Sequence, residues 1–323
     1  MGLLRQDDPL RTVTVIPICY SVMTSKCTAA YLEFFQVFKK ITPEKFVMER
    51  LYVDQEAAIL KGLDFCFGNT EVKLCQWHLT RSLTSHYSTF NYLKPKIMKQ
   101  KFNTLFRLYQ SMIHLPLHLD QIRRGVISII ESERQKYKKT TRKLMYADLK
   151  AYENYVLSNY LNNTARSPPH LWATKEPTLG NAYHTTAQSE STNRVLRDYI
   201  KPSESEVNQI HDLTRVVRRY NKNLLSATLD EHKARKKAKK RVVKSMILCG
   251  LFNQAKSLQI YHHDEERCKR DLATLRKVML VVSNADVLVS TIMKNKSYLD
   301  QVYRRHLNDR PEDAQFVSAY TEG

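Results

Sequence analysis

An α/β core, interrupted by a large all-α insertion and followed by a helical C-terminal region, is the fold class this chain predicts. Three observations point there. From Phe46 to Gln76 the pattern runs strand, turn, helix, strand: Phe46 to Val53 is apolar up to Asp54, Ala57 to Leu63 has helical spacing, and Glu71 to Gln76 alternates. From about Lys96 to Leu161 the apolar residues form long amphipathic patterns with no strand signal. Beyond residue 203 the chain is again helical and strongly basic. Only seven glycines and ten prolines, with 42% hydrophobic residues, fit ordered helical structure rather than a disordered chain.

Taken in order, Thr12 to Met23 (TVTVIPICYSVM) is β-branched enough for a strand or the second half of a hairpin, with Pro17 marking an edge or a kink. Tyr31, Phe34, Phe35 and Phe38 then fall on one helix face, which predicts a helix packed on a sheet. Thr42-Pro43 opens a turn before the Phe46 to Val53 strand. After His78 the spacing predicts helices over about Lys96 to His114, Leu119 to Tyr137 and Thr141 to Leu161, within an insertion from Tyr92 to Pro177. Arg166-Ser167-Pro168-Pro169 ends that run, and His170-Leu171-Trp172 is expected to anchor it back on the core. Thr185 to Lys201 reads as a helix opened by Thr185 and Gln188 and stopped by Pro202. Ser203 to Glu206 starts another helix, and helical, basic sequence continues to about His306, leaving Asn308 to Gly323 as a polar tail. The divisions expected are 1–90 for the first part of the core, 91–180 for the insertion, 181–202 for the final segment of the core, 203–307 for the basic helices and 308–323 for the tail.

A formal charge of +20 over 323 residues favours a polyanionic partner, nucleic acid first and an anionic membrane surface second. Six cysteines without framework spacing fit a reducing compartment. The start, MGLLRQDDPLR, is too charged for a signal peptide, and no apolar run reaches the length of a membrane span. The densest basic run, KARKKAKKR, holds Arg235, Lys236, Lys237, Lys239, Lys240 and Arg241. It fits phosphate contacts, a nuclear import signal or a solvated face.

Two carboxylates stand out. Asp54 follows a buried strand, at the carboxyl edge where open α/β sheets present their chemistry. One strand later comes Cys75-Gln76-Trp77-His78, a Cys-x-x-His leading into a helix. Glu190 lies near the start of the Thr185 helix and shares a side with Asn193, Arg194 and Arg197. As isolated residues, Asp54 would cap the next helix and Glu190 would sit on a solvated face. Cys75 and His78 lack a second pair at zinc spacing, so a role in ordering the site floor is preferred to a metal. His262 to Cys268 (HHDEERC) reads as a charged helix face.

Together these segments resemble a family. VDQEAAILKGLDFCFGNTEVKLCQWHLTRSL resembles the middle of a Mutator-like (MULE) transposase domain, whose pattern is an Asp, a short helix, then a strand ending in Cys-x-x-His. HTTAQSESTNRVLRDYI resembles the segment carrying that family's catalytic Glu, with Glu190 followed by Asn193 and Leu196. VIPICYSVMTSKCTAAYLEFFQVF resembles the strand and helix before its second Asp. Three ordered blocks over Thr12 to Ile200 are more specific than any one alone.

The resemblance implies an RNase H-like core and DNA cutting and strand transfer by an Asp-Asp-Glu set. Asp54 and Glu190 would be its second and third members and ligands of Mg²⁺ or Mn²⁺. Cys75, His78 and Asn193 would lie near the site, while Arg194, Arg197 and the basic run would contact DNA in the nucleus. The family's first Asp sits on the central strand, before Thr12, where this chain offers only Asp7 and Asp8 in a turn-like segment. The expectation is an incomplete sheet lacking its first strand, weak metal binding, and a fragment that is inactive or severely impaired. A non-catalytic DNA-binding or regulatory protein derived from a transposase is the alternative, and an unrelated basic helical protein the third reading. Homo-oligomerisation is left open.

Overall fold

The computed structural model describes residues 2–3, 14–15, 25–43, 50–68, 70–174 and 231–314, with scattered positions at 21, 23, 205, 207–208, 210–215, 218 and 317. Two short strands, β1 (Gly2–Leu3) and β2 (Thr14–Val15), pair antiparallel, with Gly2 opposite Val15. Helix α1 (Thr28–Ile41) follows, then strand β3 (Arg50–Val53), helix α2 (Ala57–Cys66) and strand β4 (Glu71–Leu74). β3 and β4 run parallel and in register from Arg50 opposite Glu71 to Val53 opposite Leu74, with α2 as the crossover. Among the described residues the two pairs are separate, and the structure is mostly helical.

The aromatic face predicted for α1 is the one that packs, but its main partner is helix α2 and not the sheet expected. Phe35 is buried and Phe67 stands edge-on to it at 6.0 Å, while Phe34 and Phe38 flank the contact. α2 crosses α1 closely at Gly62, where a Cβ would come within 3.3 Å of both Phe35 Cδ2 and Tyr31 Cβ. One expected boundary moves: the strand starting at Glu71 ends at Leu74, not Gln76. Cys75, at φ −61° and ψ 117°, is the N-cap of helix α3 (Gln76–Ser85), so the polar-apolar alternation runs on past the last ladder residue. Residues 44–49 of the expected Phe46 strand lie outside the described residues, as do most of Thr12 to Met23.

The insertion is helical as expected, but its first helix breaks. Helix α4 (Pro95–Lys101) carries Pro at its first turn and stops at Phe102, before helix α5 (Asn103–Ser111) and a 3₁₀ turn over Met112–His114. Phe102 is fully buried, edge-on to Tyr137 at 4.9 Å, and the bend there, at φ −118° and ψ 33°, lets it reach that site. Helices α6 (Asp120–Gln135) and α7 (Lys143–Val156) follow, and α7 ends in a π turn over Leu157–Leu161. Tyr152 of α7 lies at the centre: it is wholly buried, 4.3 Å from the Tyr87 ring and 4.9 Å from the Tyr109 ring, and its hydroxyl donates to the Leu83 carbonyl at 3.0 Å. The short helix α8 (Pro169–Trp172) brings Trp172 into the core, the anchor expected there.

Among the described residues of the C-terminal region are helices α9 (Glu231–Lys256), α10 (Glu265–Val282), α11 (Ala285–Ile292) and α12 (Lys296–Asp309). Asp264 caps α10 by accepting from the Glu266 and Arg267 backbone, so the HHDEERC segment is a cap and its approach rather than a uniform helix face. α10 lies on α5 and α6. Arg107 donates to the Leu280 carbonyl at 2.6 Å and to Ser283 Oγ at 3.0 Å, a cation at a helix carboxyl end. Leu275, Val278 and Met279 of α10 therefore join the same core as Leu105 and Val126 of the insertion. A smaller core gathers Val243, Met246, Val289 and Tyr303 from α9, α11 and α12.

The chain end differs from the polar tail expected after Asn308. Pro311–Asp313 form a 3₁₀ turn, Asp313 Oδ2 lies 2.8 Å from His306 Nε2, and Val317 is buried in the smaller core. The few apolar residues near Val317 make too short a run to carry a helical period.

Inside the insertion, Arg134 Nε donates to Glu153 Oε2 at 2.7 Å; the side chains are only 5% and 9% exposed, and Arg134 also bonds the Tyr146 hydroxyl. Removing one member of a buried pair strands the other's charge. Arg134→Leu is therefore expected to lower unfolding free energy by about 3–5 kcal/mol, and Arg134→Leu with Glu153→Leu to recover most of it. Urea unfolding measures both, and equal losses for the single and double variants would contradict this account.

Candidate functional site

The parallel register fixes the site's geometry. Val53 and Leu74 are partners, so the next residues, Asp54 and Cys75, stand side by side at the carboxyl edge of the pair. The ladder extends one bond further: the Cys75 N–H donates to the Val53 carbonyl at 2.8 Å. α3 begins at once, and His78 falls in its first turn. Asp54 Oδ1 lies 2.9 Å from His78 Nδ1. The three ligand-type atoms of Asp54, Cys75 and His78 lie within 4.8 Å of one another.

Access is graded across the trio. The Asp54 side chain is 47% exposed and that of His78 24%, while Cys75 is buried. Solvent therefore reaches the carboxylate first and the thiol last. Asp54 is not the N-cap of α2: that place belongs to Glu56, whose side chain makes no capping bond. The Asp54 carbonyl instead accepts from the Glu56 N–H at 2.8 Å, turning the chain so that its carboxylate faces α3. Tyr31 of α1 donates to Glu56 Oε2 at 3.3 Å. Burial first, then the Glu56 and Asp54 carboxylates, hold the Tyr31 phenol above its ordinary value.

The end of the insertion clamps this edge. Gln76, buried beside Cys75, donates through Nε2 to the Ile113 carbonyl and to Thr174 Oγ1, each at 3.1 Å, and approaches the Trp172 carbonyl at 3.4 Å. Lys73 Nζ donates to the His170 carbonyl at 2.7 Å, and Gln55 Nε2 to Ser167 Oγ at 2.5 Å. The Trp172 indole in turn donates to the Ser167 carbonyl at 2.8 Å. Gln55, Lys73 and Gln76 escape a sequence reading, because each partner lies far along the chain and no local pattern announces it.

Of the expected site residues, the structure brings together Asp54, Cys75 and His78. Glu190, Asn193, Arg194 and Arg197 lie outside the described residues. Arg235, Lys236 and Lys237 belong to α9; farther along it Lys239 is half-buried, and Lys240 and Arg241 are exposed. Mg²⁺ requires several oxygen ligands, and the described trio supplies one carboxylate beside a thiol and an imidazole. That donor set does not by itself fit Mg²⁺. No helix of the described residues is long and apolar enough to cross a membrane. No protein-family model, curated protein or solved structure matches the chain.

Gln76→Leu, similar in volume, would leave the Ile113 carbonyl and the Thr174 hydroxyl without their donor. The expected loss is about 1–3 kcal/mol in urea unfolding. Hydrogen exchange should quicken first at α3 and near Thr174, and unchanged exchange there would show that the amide does not hold the two segments together.

Proposed function

We propose that the chain is a Mutator-like transposase domain with an RNase H-like core, related to enzymes that cut and join DNA. The reading is carried by Asp54 at the end of β3 meeting His78 of the neighbouring Cys-x-x-His at 2.9 Å. The Asp and the Cys-x-x-His of one block of the resemblance thus share one edge of a parallel strand pair, the place where such sheets act on ligands. The return of the chain adds support. Thr174 bonds Gln76 beside Cys75, and Glu190 follows 16 residues later (190 − 174), a short reach for an acidic residue expected to join Asp54.

In this reading Asp54 and Glu190 are the reacting pair, His78 orients Asp54, and the basic helices hold the phosphate backbone. That orientation matters, because a misplaced carboxylate loses much of its effect in phosphoryl transfer. The net charge of +20 favours a second reading, a DNA-binding or regulatory protein without cleavage.

The two separate in one set of measurements. On the first reading, linear duplex DNA is cleaved only slowly, in keeping with the severely impaired activity expected from the sequence, and only with Mg²⁺; Asp54→Ala and Glu190→Ala each abolish that residual cleavage while leaving DNA affinity intact. Binding that weakens steeply with salt, with no cleavage by the unmodified chain, would leave the second reading standing. Replacing Lys239, Lys240 and Arg241 by Ala should reduce the slope of log affinity against log salt by roughly 1 for each phosphate no longer neutralised. Fluorescence anisotropy from low to moderate salt measures that slope.

A further inference from the structure

We infer that Asp54, Cys75 and His78 form a binding site for a borderline-soft divalent cation of the zinc class. The inference goes beyond the DNA-processing reading and stands without it, since it rests on three side chains and their donor chemistry. A carboxylate oxygen, a thiol sulfur and an imidazole nitrogen converge within 4.8 Å. This mixed set suits Zn²⁺, which takes sulfur, nitrogen and oxygen together, and disfavours Mg²⁺, which takes oxygen.

The backbone is already arranged for it. Cys75 and Asp54 are locked side by side by the ladder bond at 2.8 Å, and His78 is held three residues into the α3 turn. Ligands at ~2.0–2.3 Å from a tetrahedral ion sit about 3.3–3.8 Å from one another. The Asp54–His78 pair, now 2.9 Å apart, has to part by less than an ångström to admit the ion. The graded exposure gives an entry path, in which the cation meets Asp54 in solvent, passes to His78 and seats on the buried sulfur. Three protein ligands leave the fourth position open on the solvent side, the pattern of reactive rather than purely structural zinc sites.

Co²⁺ is the optical probe, because a cobalt–thiolate bond adds a charge-transfer band and tetrahedral cobalt an intense visible one. The full chain is expected to take one equivalent of Co²⁺ with both bands, to lose them to Zn²⁺, and to keep them in a large excess of Mg²⁺. Cys75→Ser should abolish the charge-transfer band while Cys268→Ser retains it. Asp54→Asn and His78→Ala should each weaken Co²⁺ binding by more than the roughly 10- to 100-fold that follows loss of a ligand's outer hydrogen-bond partner. His78→Cys, which needs no loss of fold to be read, should raise the band by adding a second thiolate. Absence of the bands, their survival in Cys75→Ser, or an unchanged intensity in His78→Cys overturns the inference. Cobalt binding without DNA cleavage supports the site and leaves the non-cleaving DNA-binding reading; Mg²⁺-dependent cleavage without cobalt binding supports the transposase reading and overturns the site.

Discussion

The hydrogen bond from the Cys75 N–H to the Val53 carbonyl is the interaction on which the site depends. It extends the parallel ladder by one residue, to the point where β3 gives way to a turn and β4 to a helix. A slip of one residue in that pairing would turn either Asp54 or Cys75 to the opposite face, because side chains alternate along a strand. The helix that starts at Gln76 then has no freedom left, and His78 must face the carboxylate. The arrangement is backbone-determined, which is what a site needs if its side chains are to meet without large rearrangement.

Four residues of ladder are little structure to hold such precision, and the helical insertion supplies the rest. Its closing segment grips both strands and α3 through Ser167, His170 and Thr174, while Tyr152 ties the far end of α3 to α7 through the Leu83 carbonyl. α10 packs across α5 and α6 and, with part of α9, shares one hydrophobic core with the insertion. Tyr109 and Tyr87 around Tyr152 bury large apolar area with defined ring geometry, and burial holds their phenols protonated well above the ordinary range. Basic surface thus surrounds an interior that is mostly aromatic and aliphatic.

Much of this was legible. The α1 aromatics, the strand–helix–strand order around Asp54 and the long amphipathic helices all follow from periodicity, because each element buries one face. The position of Asp54 was legible because an acidic residue directly after an apolar strand has few places to go. What resisted reading was decided at distance. The break at Phe102 serves a contact with Tyr137, and Gln76 looks like an ordinary residue inside Cys-x-x-His until its partners at 113 and 174 are in place. The third member of the metal-ligand trio was hidden for the same reason: a search for zinc spacing along the chain finds pairs, whereas Asp54 joins through strand register. The Glu190 segment lies outside the described residues.

The Gln76 bonds have a temporal meaning. They join residues 37 and 98 positions apart, and those of Lys73 and Gln55 span 97 and 112. Closing loops of that size is entropically slow, so bonds of this kind form late in folding, after the local helices between them. On the ribosome the strand pair emerges long before Thr174, and must wait for its clamp. Until then its carboxyl edge, including the cysteine that the finished fold buries, stays open to solvent.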